Sequence, residues 1–141
     1  MLIPPSVREE TIEAGKSEGY SDALNLEALE RKGWLQTIPL SKSSDELAAE
    51  LSEAVGKGEA EAIALAVEKK ERLFMDDLKG RRTAELYKVE TTTTLGIILE
   101  LLATRALTKN DYIRNVKEYG SRGWISGEIL NEFLDRGTRL E

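Results

Sequence analysis

The chain has 141 residues, 20 basic and 26 acidic, for a formal net charge of −6, and it is 40% hydrophobic and 33% charged. That is an ordinary soluble balance with enough apolar residues for a real core, and the acidic excess argues against a mainly electrostatic nucleic-acid binder. Histidine and cysteine are both absent, which excludes disulfides, thiolate or imidazole zinc sites, Ser–His triads and cysteine nucleophiles. Chemistry is left to Asp, Glu, Ser, Thr, Lys, Arg and Tyr. A metal, if one is used, is then a hard ion held by oxygen, meaning magnesium or manganese. Lack of cysteine suits a reducing cytoplasm. No signal peptide or membrane span is expected, because the longest apolar run, Leu95 to Ala103, is short and broken by Gly96 and Glu100.

In chain order, Met1-Leu2-Ile3 is an apolar lead-in, and Pro4-Pro5 sets up a helix running to about Lys16. Ser21-Asp22 cap a second helix, which Gly33 stops. Trp34 to Leu40 reads as a strand with its proline near the end. A helix from Ser43 to about Val55 follows, and Gly56-Lys57-Gly58 breaks the pattern. From Glu59 a helix runs to about Lys70, with Ala62, Ile63, Ala66 and Val67 as its buried stripe. Glu59 lies on that stripe, and Glu61 on a more mixed face. Leu73-Phe74-Met75 is a short strand ending at Asp76-Asp77, and Lys79-Gly80-Arg81-Arg82 open the next helix. Lys88 to Thr92 is a further strand. Thr93-Thr94 cap an apolar helix, Leu95 to Leu107, and two more helices follow, Asn110 to about Tyr119 and Ser126 to about Leu134. With no repeat or linker, residues 1–141 read as one domain.

Strands alternating with helices predict an α/β fold, a parallel sheet in a three-layer α/β/α arrangement, with ligands beyond the carboxyl ends of the strands. Asp76 and Asp77 stand at such an end. The return from helix to strand brings Glu59 to the same edge, so a carboxylate cluster is expected there. Each of these residues also has a plainer role. Glu59 and Glu61 suit a helix N-terminus as negative charges, Asp76-Asp77 suit a turn and cap, and Glu10 suits a solvated surface. Lys79, Arg81 and Arg82 fit either a solvated helix face or phosphate contacts. The Leu95–Leu107 helix and the Trp124-Ile125 pair fit core or oligomer interface.

GEAEAIALA, LFMDDLKGRR, TTTTLGIILELL and RGWISGEILNEFL, in this order and spacing, resemble the PIN (PilT N-terminus) domain nucleases, specifically the archaeal and bacterial branch of predicted nucleic-acid-binding PIN proteins. The opening IPPSVREE is similar to that branch's proline-led helix with an active-site glutamate. The resemblance implies a metal-dependent ribonuclease, many relatives being toxins held by a small antitoxin protein. It assigns Glu10, Glu59 and Asp77 as catalytic and Mg²⁺- or Mn²⁺-binding positions, with Glu61 and Asp76 as second choices. In such a site the metal lowers the pKa of a bound water, which attacks a phosphodiester of RNA, and Lys79, Arg81 and Arg82 hold the strand. The chain departs from the pattern at its start. Family members begin with a central strand carrying an Asp ligand, and Met1 corresponds to a point after it. An N-terminally truncated PIN-like fold is therefore expected, with weak or no nuclease activity or a non-catalytic scaffold role in RNA binding or protein association. The strands Trp34–Leu40 and Leu73–Met75 would flank the gap, which a homo-oligomer would cover.

Overall fold

Proline organises the start of the chain. In the computed structural model, which describes residues 1–123 and 125–140, β1 (Leu2–Ile3) runs into Pro4, the extended N-cap of α1 (Pro5–Arg8). Proline at the first helical position sacrifices nothing, because that N–H lacks a partner in any helix. The helix widens into a π-helical segment, Glu9–Ala14, and tightens again as α2 (Gly15–Ser17). Next comes α3 (Ser21–Arg31), which packs so closely that a Cβ on Gly15 would lie 2.9 Å from the Ala23 Cβ.

β2 (Gln36–Thr37) pairs parallel with β1, Leu2 opposite Gln36 and Ile3 opposite Thr37. Two expectations change here. The strand expected over Trp34–Leu40 shrinks to its middle, since Pro39 has no N–H to give to a ladder. The lead-in Met1–Ile3 contains a strand, and it is Leu2–Ile3 that borders the open side of this sheet. A segment so short shows no alternation, so only its pairing reveals it.

α4 (Lys42–Leu51) starts at Ser41, whose hydroxyl accepts the Ser44 N–H. α5 (Lys57–Lys69) is the centre of this part of the fold, packed against α4 and α1. Its buried residues are Gly58, Ala60, Glu61, Ile63, Ala64, Leu65 and Ala66. The expected stripe is half right. Ile63 and Ala66 are buried, but Ala62 and Val67 are half-buried, and Glu61 rather than Glu59 is the buried acid. A helix enclosed from several sides has no single buried stripe. Near the end of α5, Glu68 accepts hydrogen bonds from the Ser44 hydroxyl (2.6 Å), the Ser41 N–H (3.2 Å) and Lys69 (2.8 Å), tying α4 to α5. The Lys69 bond, then the serines, hold the Glu68 carboxyl down at about 2.

β3 (Leu73–Phe74) pairs with β4 (Thr91–Thr92), and α6 (Leu78–Leu86) lies between them in sequence. Residues Met1–Thr91 form one compact unit, and Thr92–Glu141 form another. In the first, Leu51, Val55, Ala60, Ile63, Ala66, Leu73, Ala84 and Val89 make the core. In the second, α7 (Thr94–Ala103), α8 (Lys109–Ser121) and α9 (Gly127–Arg139) enclose Leu95, Leu102, Tyr112 and Val116. Thr93, Thr108 and Ser126 cap these three helices with their hydroxyls, as Ser/Thr N-caps do. The Tyr112 hydroxyl donates to the Phe133 carbonyl. Trp124, paired with Ile125 in the sequence reading, lies outside the described residues. Parallel pairing of short strands separated by helices is the expected α/β architecture.

Candidate functional site

Two of the expected acids lie against the start of α5. Glu10 sits in the π-helical segment, where the extra residue per turn shifts which side chains face a neighbour. Its carboxylate reaches Gly58, with Oε2 3.1 Å from the place a Cβ would occupy. Glu59 folds back along its own helix, so that its carboxylate fills the space a Cβ on the N-cap residue Gly56 would need. Both negative charges therefore lie at the electropositive first turn of α5. Glycine at positions 56 and 58 is what makes room for them.

The other acids are occupied elsewhere. Glu61, 9% exposed, accepts the Ser6 N–H at 2.9 Å and so caps α1 from across the core, with Lys57 at 3.9 Å. Asp77 accepts the Gly80 N–H at 2.5 Å as the N-cap of α6. Asp76 beside it is exposed. Among the described residues, no three acidic side chains come together as a group that could hold a metal ion. The described residues thus do not assemble a donor set for Mg²⁺ or Mn²⁺, hard ions wanting several oxygens around one point.

Of the basic residues expected beside the acids, Lys79 and Arg82 are exposed. Arg81 is half-buried, and its Nε is buried with no hydrogen-bond partner among the described residues. Sequence reasoning did not single out Ser6, whose backbone anchors Glu61. Nor did it find the pair Arg8–Glu30 (2.8 Å), reinforced by Thr37 donating to Glu30. The Arg8 bond, then the Thr37 bond, holds the Glu30 carboxyl below its usual range. This network ties α1 to α3 and β2, a link between residues distant in sequence that no local spacing signals.

The class of protein is thus an α/β scaffold of short parallel strands and helices, with acids at helix starts and at a strand end. Over residues 1–139 the chain matches the family model described as PIN domain, and it belongs to that family. No curated protein and no solved structure matches it. No helix among the described residues is long and apolar enough to cross a membrane.

Proposed function

We propose that this chain is a PIN-type ribonuclease scaffold that by itself holds single-stranded RNA and hydrolyses little or none of it. The observation that carries this reading is the separation of the acids. Glu10 and Glu59 share the start of α5, whereas Asp77 is bound into the cap of α6 and Glu61 into that of α1. RNA would lie along Lys79 and Arg82, through phosphate contacts that position a strand without reading its sequence. A cytoplasmic location comes to this reading from the lack of cysteine, and a small antitoxin-like partner from the family resemblance.

The second reading is a Mg²⁺- or Mn²⁺-dependent endoribonuclease using Glu10, Glu59 and Asp77, and the placement of the first two at the start of α5 favours it. One experiment separates the two. Labelled single-stranded RNA is incubated with the purified chain and Mn²⁺, scoring both retention and cleavage. Retention without products is expected. Cleavage abolished by Asp77→Asn, with the melting temperature unchanged, would establish the second reading, because Asn caps a helix about as well as Asp and only the charge is lost.

A further inference from the structure

Of the described arginines in the first unit, two are half-buried, Arg8 and Arg81. The fold treats them in opposite ways. Arg8 gives Nε and Nη2 to Glu30 and Nη1 to Glu13. Arg81, on α6, has a buried Nε with no acceptor, and no carboxylate pairs with its guanidinium among the described residues. The acids near it in sequence do not serve it. Asp77 is committed to the Gly80 N–H. Glu85, one turn further on, is exposed, and an arginine that precedes its acid on a helix is the weaker order for such a pair. A buried N–H without an acceptor is costly, and folded proteins rarely keep one. No polar contact holds this guanidinium in place, so carrying its head outward to an anion breaks none and relieves the stranded donor. Arg81 thus gains more from an external anion than a fully hydrated surface cation does.

We infer that Arg81 is the receptor for a terminal phosphate of the RNA strand, an inference that rests on the reading of Lys79 and Arg82 as phosphate contacts. All three side chains belong to the first two turns of α6, but Lys79 and Arg82 are exposed and Arg81 is recessed. An internal phosphodiester carries one charge and is flanked by two riboses, which suits the exposed pair. A terminal phosphate has a ribose on one side only, three free oxygens and a charge of about −1.5 to −2 at pH 7. It can therefore reach a recessed cation that a continuous strand passes over. The planar guanidinium fork matches two of its oxygens at once, a geometry that an ammonium cannot reproduce.

The test uses one internally labelled single-stranded RNA in three forms, with hydroxyls at both ends, with a 5′-phosphate and with a 3′-phosphate. Each is titrated into the full chain and read by anisotropy. One phosphorylated form should bind about ten-fold or more tighter than the hydroxyl form, and its identity gives the end that is recognised. Arg81→Met keeps the apolar stem and removes the donors, so it should erase the difference without lowering the melting temperature. Arg81→Lys keeps the charge without the fork and should erase most of it. In a nitrogen-15 spectrum the Arg81 Nε–H resonance should move with the preferred RNA and stay in place with the hydroxyl form. Equal affinity for all three forms, a preference that survives Arg81→Met, or a lowered melting temperature in that variant would each overturn the inference. The two readings fail separately. RNA bound through Lys79 and Arg82 with no end preference would leave the proposed function standing and remove this inference. No retention of any RNA, with inorganic phosphate still moving the Arg81 resonance, would remove the RNA reading and leave Arg81 as a phosphate receptor.

Discussion

Glu61 shows how one side chain can be placed in a family's acidic stretch and still serve the scaffold. Its carboxylate is buried and satisfies the Ser6 N–H. Glu61→Ala would strand that N–H in the interior, a loss of about 1–3 kcal/mol, whereas Glu61→Gln keeps an acceptor oxygen and should lose less. Urea denaturation of the two variants checks the difference, and equal losses would mean that Ser6 is not what Glu61 serves. Glu68 makes a pH-dependent contribution. Its carboxyl is held at about 2 in the fold against 4.5 ordinarily, so the folded state favours the ionised form. That stability is complete above pH 4.5 and is lost as pH falls towards 2. Glu68→Gln should flatten the fall in melting temperature between these limits, with little change in its slope from pH 5 to 7. Because the group is solvent-accessible, the effect will be modest and weaker at high salt.

Among elements, the helix starts are the best-specified features. Ser41, Asp77, Thr93, Thr108 and Ser126 each accept an N–H from the first turn of the helix they precede. Helix ends are less legible. Lys70 closes α5 in the left-handed region at φ 56°, and Lys88 adopts φ 58°, a conformation that usually signals itself as glycine. Packing in the second unit also rests on a missing side chain. A Cβ on Gly137 of α9 would overlap the ring of Tyr112, which is 1% exposed and bonded through its hydroxyl to Phe133. Gly137→Ala should therefore destabilise the protein by about 1–3 kcal/mol through overpacking, despite alanine's better helix propensity. Thermal unfolding measures it, and an unchanged or raised melting temperature would contradict the packing described.

For the molecule as a whole, the charge of −6 limits what RNA binding can be. Under the proposed reading RNA lies along Lys79 and Arg82, and each contact to a single strand contributes about −0.7 to the slope of log K against log salt. Anisotropy titrations of hydroxyl-ended RNA over a salt series should therefore give a slope no steeper than about −1.5. Lys79→Ala and Arg82→Ala should each make it shallower by about 0.7. A much steeper slope would locate the binding surface elsewhere.

Much of this molecule was determined by local sequence. Proline and glycine positions, hydroxyl and carboxylate caps, and apolar runs are short-range signals, so the helices, their order and the α/β class could be read directly. The likeness to the PIN family could be read in the same way from motif order. The placement of Glu10 and Glu59 at the start of α5 was only partly legible, because it depends on a π-helical turn and on glycines at positions 56 and 58 leaving room. Three things were decided by tertiary structure alone. Leu2–Ile3 is a strand only because Gln36–Thr37 lies beside it. Glu61 rather than Glu59 is buried because α1 and α4 enclose α5 as well as the sheet side. Asp77 and Glu61 are committed to helix starts, so the expected acids do not close on one point. The physical reason is the same in each case. Pairing, burial and convergence are properties of residues far apart in the chain, and a one-dimensional pattern specifies which side chains are available but not which neighbours will satisfy them.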